Sequence, residues 1–493
     1  MKFKPNLKNL FVSYPYPQKH TTHSWKVRDK KEWIKISAVL FFITAFILFK
    51  LSNLDFRFGD GNAYIYMAYE ILGGSIPYKD FFLADPPVFV LILTFFKVFF
   101  GNHLLLFQIL PIFAESLTAL FLYLLLKKLS NPYAFLAPAF YLFSFSILAT
   151  SNFFTGVQFV VLFVVSAMLL YEYDKRAASG VFWALACLSK LYAVPAFVGF
   201  AAYLIFKKEP VQKMLIGFFG ASFAITIPFI IVSPRNFFDY TFFHHLRRPY
   251  GISKLSTLSL YASKEWMILI LGFIGFFLAK KKSIAVSFAL SALFLLAFKD
   301  LYYLYLNILL PFLIISVFYF IEKIGSPANG NKTAFWIFIA IYCAFAAQSV
   351  LTYQKEYKDQ GKFPNTKEIT EYIKTLPEGV ELYGGHEIAP VMALMADRKL
   401  FENMIDTNTQ VFSAKTIDVK KLSERAVEKG IYLIAKTDDY PEYKIYDFGF
   451  EGFFDKDVFK NSCSEIKRFP VFYDMDGSET SRSKIGVYLC KNK

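Results

Sequence analysis

Apolar stretches of about 18 residues or more, nearly free of charge, recur between residues 33 and 350 of this 493-residue chain and then stop. A stretch of that kind is sized to cross a hydrocarbon layer as a helix, because a helix satisfies its own backbone polar groups where no water can. The charged fraction, 19%, lies below the roughly 25% usual for soluble chains, and the charges gather between the apolar runs. The expected fold is an all-α polytopic membrane protein carrying a small α/β domain after residue 350.

A net charge of +15 would suit a nucleic-acid partner if it were concentrated. Instead Lys and Arg occupy short connections such as Lys127–Lys128, Lys207–Lys208 and Lys280–Lys281–Lys282, the pattern of cytoplasmic loops under the positive-inside rule. No basic segment interleaved with aromatics offers a groove reader, which excludes nucleic acid as a partner and leaves membrane lipid. Residues 1–32 are polar and basic, and no small-residue cleavage pattern follows the first apolar run. They read as a cytoplasmic tail before a signal-anchor helix.

Keeping every basic connection on the cytoplasmic side orders about eleven spans. They are Trp33–Leu51, Leu104–Leu126, Tyr133–Thr150, Val157–Tyr173, a tight hairpin over Ala177–Phe206 turning outside near Lys190–Pro195, Met214–Val232, Trp266–Ala279, Ile284–Phe298, Tyr302–Ile321 and Ala334–Val350. Residues 33–350 thus form the membrane domain, with exterior loops at 52–102 and Ser233–Glu265, and residues 351–493 form a soluble exterior domain. The run Val88–Phe100, short and interrupted by Lys97, is expected to lie on the interface. In the tail, helix-like Thr366–Thr375 and Val419–Lys429 alternate with strand-like Val380–Tyr383, Ile431–Ala435 and Ile485–Cys490, as in a small α/β domain. Cys463 and Cys490 could pair in an exterior domain or remain thiols.

Soluble-enzyme signatures fail on inspection. Gly325–Thr333 looks like a phosphate loop, but Asn331 separates Gly330 from Lys332. Asn331-Lys332-Thr333 is a glycosylation sequon in form, yet this topology puts it in the cytoplasm. His386–Glu387 lacks the second histidine of a zinc helix. No cofactor is legible, and a divalent metal is left open.

The chemistry-bearing stretch is the first exterior loop, which runs Phe58-Gly59-Asp60-Gly61-Asn62-Ala63-Tyr64, then Tyr69, Gly73-Gly74, Pro77-Tyr78-Lys79-Asp80 and Asp85-Pro86-Pro87. Tyr64–Leu72 suits an amphipathic helix on the bilayer surface. A partly desolvated Asp60 before it could take a proton from a hydroxyl at the water–lipid boundary; the simpler local role is a helix N-cap.

The pattern D-x-x-x-Y, G-G-x-x-P-Y-x-D, P-P and an apolar run resembles the GT-C superfamily of membrane glycosyltransferases. It is most similar to the branch of dolichyl-phosphate-mannose protein mannosyltransferases and aminoarabinose transferases. Leu185–Lys190 resembles that family's small-residue helix ending in Ser/Thr-Lys, Tyr302–Pro311 its aromatic stretch before a proline-bearing span, and Ile388–Lys399 part of its appended exterior domain. The resemblance implies an inverting transfer from a polyprenyl-phosphate sugar to a hydroxyl of a protein, lipid or glycan, with Asp60 as general base. This chain has Gly61 where many relatives carry a second acid, so Asp80 and Asp85 become candidates for that role. Lys190, inside an apolar run, is either a counter-ion for the departing phosphate or a lysine snorkelling to the interface. Tyr64, Tyr78, His244, Arg247 and Arg248 complete the candidates for donor contact. Rival readings are a transporter or flippase of lipid-linked saccharides and a surface-polysaccharide polymerase or ligase. Two related halves with broken spans, the usual mark of a transporter, are not visible.

Overall fold

The structure, a computed structural model, describes residues 30–492 apart from Phe58, Asn102, 250–252, Lys280, Asp300, 326–331, 360–361, 363–364, 439–449 and 470–482. The sequon's Asn331 and most of the false phosphate loop fall outside the described residues.

Helix α1 (Lys30–Leu51) precedes two helices of the long loop, α2 (Gly61–Leu72) and α3 (Val88–Phe100), and then α4 (Ile109–Lys128). The next pass is divided into α5 (Ala137–Leu142) and α6 (Phe145–Thr150). Then come α7 (Val157–Glu172), α8 (Arg176–Ser189), α9 (Val194–Phe206) and α10 (Gln212–Val232). Two short helices, α11 (Pro234–Phe238) and α12 (His244–Arg247), lead to α13 (Lys254–Leu278), α14 (Lys282–Ala297), α15 (Leu310–Ile324) and α16 (Lys332–Thr352). A helical pass therefore stands at each expected position, and among the described residues five apolar helices are long enough to cross a bilayer as single continuous segments. Lipid is the only solvent that suits α10. Met214 is its one buried residue, while Ile216, Phe219, Phe223 and Ile231 are each more than 60% exposed, a run of bare apolar side chains that soluble monomers rarely carry. The same helix meets α8 backbone to backbone. A Cβ on Gly180 would sit 1.9 Å from the Met214 carbonyl, and one on Gly217 would sit 2.1 Å from that of Ala177, the small-residue contact by which helices associate in lipid.

Three expectations need correction. The pass Tyr133–Thr150 is not one helix: the chain becomes extended at Ser144 (φ −67°, ψ 146°), whose hydroxyl caps α6 by accepting from Ile147 N at 3.4 Å. The exterior segment Ser233–Glu265 is largely helical, and α13 starts at Lys254 and kinks at Glu265 (φ −113°, ψ 19°). Break and kink answer each other, since the Glu265 carboxylate accepts from Ser146 N at 2.6 Å and so occupies an orphan donor at the positive end of α6. Finally, α2 turns most of its apolar residues into the protein and not toward lipid. Its residues Gly61–Ala63 and Ile65–Ala68 are buried in an apolar cluster shared with α3 and the C-terminal domain.

In the tail, α17 (Thr366–Lys374), β1 (Leu382–Gly384), α18 (Ala389–Ala396), α19 (Thr409–Ser413), α20 (Val419–Lys429), β2 (Ile431–Asp438), α21 (Phe450–Phe453), α22 (Lys456–Ser462), β3 (Cys463–Phe469) and β4 (Ser483–Cys490) follow in order. The sheet order is β1-β2-β4-β3, parallel between β1 and β2 and antiparallel elsewhere. Helix α20 is legible from its ends: Asp418 accepts from Lys421 N at 3.2 Å, and Gly430 takes the left-handed turn (φ 74°) that closes it. Strand β3 was not expected from sequence. It is an edge strand with a mostly exposed face, so it shows no alternation of apolar and polar residues.

Cys463 and Cys490 face each other in register across β3 and β4 and form a disulfide. Closing a loop of 27 residues should stabilise the domain by roughly 3 kcal/mol through the unfolded state. Thermal unfolding with and without reductant, or of Cys463→Ser, should show a loss of that size.

Candidate active site

Asp60 lies just before α2 in helical conformation (φ −52°, ψ −28°), and its side chain makes no cap hydrogen bond. The N-cap role is therefore not realised. Its Oδ1 instead lies 3.1 Å from His386 Nε2. His386 follows Gly384–Gly385 at the carboxyl end of β1, where β1 runs so close to β2 that a Cβ on Gly384 would meet the Ile434 carbonyl at 2.1 Å. The Asp60 side chain keeps 52% exposure against 14% for His386, so a substrate can reach the carboxylate while the imidazole is held behind it.

The electrostatics follow from that arrangement. Burial pushes the Asp60 carboxyl up, but the hydrogen bond and charge of His386, with the charges of Lys190 and Arg248, outweigh it and hold the group below its ordinary range. Burial pulls His386 down, while the bond to Asp60 and the charges of Asp60, Glu387 and Asp406 win and raise it to about 9. Desolvation keeps Asp406 above its usual value. The pair is thus ionised from below the usual carboxylate range up to about pH 9; the stability due to His386 protonation is full below its ordinary value of 6.5, shrinks above it and is gone beyond about 9.

One helical turn beyond Asp60, a second set of groups closes on itself. The Tyr64 hydroxyl donates to Asp85, and Lys190 Nζ donates to Asp85 and to the Tyr64 hydroxyl at 2.9 Å. Lys190 sits in extended conformation (φ −152°, ψ 134°) between α8 and α9, at the turn of the expected hairpin. The Lys190 and Asp85 side chains are only 8% and 10% exposed. Asp85 is therefore committed to Lys190, whereas Asp60 is open. Burial raises Asp85, but Lys190, His245 and Tyr64 together bring it below its ordinary range.

Other candidates fall into place around these two sets. Tyr78 is buried with a left-handed backbone (φ 68°), and its hydroxyl donates to the Asp85 carbonyl at 2.8 Å. Its ring packs on Phe229 and Phe237, so it holds the backbone that carries Asp85. His245 Nε2 lies 2.9 Å from the Ala84 carbonyl. His244 accepts from Arg248 Nε at 3.2 Å. Burial, then Arg248, pushes these two imidazoles down to about 3 and about 4, so both are neutral at neutral pH. Arg248 stays charged, because the tyrosines Tyr305 and Tyr192 and the carboxylates Asp85 and Asp406 outweigh its desolvation. Tyr305, packed 4.2 Å from Tyr192, thereby brings the aromatic stretch of the later spans to the site. Two candidates are engaged elsewhere: Asp80 accepts from Ile76 N at 2.7 Å within its own turn, and Arg247 pairs with Asp239 at 2.8 Å on the exposed side of α12. Among the described residues no group of three or more His, Cys, Asp or Glu could hold a metal ion.

Sequence reasoning missed His386 and Asp406 as site residues. The signal available for His386 was a pair of glycines at a strand end before a histidine; nothing local connects it to a residue more than 300 positions earlier.

Residues 84–237 match the sequence profile of the family described as dolichyl-phosphate-mannose-protein mannosyltransferase. No curated protein matches the chain. Among solved structures, ArnT from Cupriavidus metallidurans in the apo state superposes with a TM-score of 0.58 at 14% identity, covering 93% of this chain and 98% of that one. The same protein bound to undecaprenyl phosphate gives 0.56 at 12% identity, with the same coverage. The chain is thus a multi-pass membrane protein with the GT-C fold, resembling the mannosyltransferase and aminoarabinose-transferase branch.

Proposed function

We propose that this protein is an inverting glycosyltransferase that moves a hexose or pentose from a polyprenyl-phosphate donor to an acceptor hydroxyl at the outer membrane face. The observation that carries the reading is one half-open carboxylate, Asp60, held by His386 one helical turn before Tyr64, which binds the buried Lys190. The acceptor oxygen forms its bond to the anomeric carbon as the bond from that carbon to the phosphate oxygen breaks. The electron pair leaves with the polyprenyl phosphate, and Asp60 takes the acceptor proton. Lys190, aimed by Asp85 and Tyr64, and Arg248 stabilise the charge gathering on the phosphate. Tyr78 and His244 support this set; Asp80 and Arg247 are assigned no step. ArnT, which shares the fold, has been crystallised with undecaprenyl phosphate, the kind of carrier this reading requires. The acceptor is a protein, lipid or glycan.

The exterior placement of residues 351–493 follows from keeping basic loops inside, and a disulfide-bonded domain suits an oxidising compartment. A membrane-impermeant maleimide should label Lys421→Cys, an exposed position of α20, in intact cells beyond the wild-type background; labelling only after lysis would put the domain inside. The function itself is tested by presenting the purified protein with polyprenyl-phosphate sugars and following release of polyprenyl phosphate. Release dependent on an acceptor is expected; absence of release with every donor overturns the assignment.

A further inference from the structure

The C-terminal domain is bolted to the loop that carries Asp60. Asn62 Nδ2, two residues after Asp60, donates to the Glu387 carbonyl at 2.6 Å and to the Arg57 carbonyl at 2.9 Å. The Tyr66 hydroxyl accepts from Leu400 N at 3.1 Å, and Ile65 and Met67 share an apolar cluster with Ile369, Ile373 and Met392. These contacts bracket His386 and fix the imidazole against the Asp60 carboxylate.

We propose that His386 is a positioning residue of the transferase: through its contact with Oδ1 it orients the open carboxylate of Asp60, so that the exterior domain supplies part of the active site. The inference rests on Asp60 being the base. A carboxylate half open to solvent would otherwise rotate freely. Its Oδ1 is pinned by His386 Nε2, which leaves Oδ2 for the acceptor proton. The charged groups that act on Asp60 are His386 from the exterior domain, Lys190 from the α8–α9 turn and Arg248 after α12. Those that act on His386 are Asp60, its neighbour Glu387, and Asp406 from the loop before α19. His386 is the cation in contact with Asp60. Without it, burial, the largest single influence on the carboxylate, is opposed only by Lys190 and Arg248, and the carboxyl moves up.

The test compares wild type, Asp60→Asn, His386→Gln and His386→Lys. For wild type, kcat/KM should stay level from pH 7 down to about 5. For H386Q, which keeps a donor and loses the charge, the acid limb should move up toward neutral pH, so that the rate begins to fall within the same interval. H386K should restore the level profile. Independently of activity, the His386 imidazole in D60N should titrate well below its wild-type value of about 9, as followed by NMR of the histidine side chains. If D60N transfers at the wild-type rate, the base assignment itself falls. If D60N is inactive while H386Q keeps the wild-type profile and His386 titrates alike in both proteins, the inference about His386 alone is overturned.

Discussion

Asp60→Asn should lower kcat by roughly 10²–10⁴-fold, the usual contribution of a positioned general base, while the donor KM stays nearly level. The level KM comes from charge. Asparagine keeps an oxygen for His386 and nearly the same volume, so the docked exterior domain has no reason to move. What disappears is proton affinity and a negative charge near the place where a phosphate must sit. Because His386 gives up the proton that Asp60 held on it, the net charge beside the phosphate changes little, and Coulomb forces leave anion binding nearly level. A loss in kcat with unchanged KM marks an interaction made only in the transition state. Steady-state transfer assays on detergent-purified or nanodisc-embedded protein read both parameters; a raised donor KM with normal kcat would move Asp60 from proton transfer to donor binding.

Lys190→Met should cost both stability and activity, and the two losses should come apart in the double variant. The Lys190 ammonium and Asp85 carboxylate are nearly shut away from water, with Tyr64 bonded to both. Deleting the cation alone strands a carboxylate in a site built for an ion pair. Breaking a buried pair in that way costs roughly 3–5 kcal/mol. Combining Lys190→Met with Asp85→Asn removes both charges, so thermal unfolding should return most of the way to wild type. Transfer should not return, because the leaving phosphate has still lost a counter-charge. Recovery of transfer together with stability would make the pair a structural strut and leave Arg248 as the cation for the phosphate.

The passes were legible because hydropathy over a span-length window is a strong signal, and basic connections sort the loops. The hairpin at Lys190 and the helix α20 came through for local reasons, a single polar residue in an apolar run and a matched pair of caps. The division of Tyr133–Thr150 was not legible, since what stabilises the break is Glu265, 119 residues away from Ser146. Asp60 could be singled out only by its place in a loop pattern, as its neighbours fit a cap equally well. The ion pair of Lys190 with Asp85 spans 105 positions, and the contact of Asp60 with His386 spans 326; neither leaves a periodic or spaced trace. Arg247 and Arg248 show the limit most plainly. Adjacent and chemically identical, they differ in backbone: Arg247 ends α12 and reaches Asp239 on the surface, while Arg248 follows it in non-helical conformation (φ −51°, ψ 138°) and reaches His244 and the site.

The most direct measurement of the central claim is the stereochemistry of a single turnover. A polyprenyl-phosphate sugar of known anomeric configuration is presented to the purified protein with an acceptor, and the product is read by NMR alongside released polyprenyl phosphate. A single displacement driven by Asp60 predicts one polyprenyl phosphate per sugar transferred and complete inversion at the anomeric carbon. Retention of configuration, or sugar transfer without release of the carrier phosphate, would contradict it.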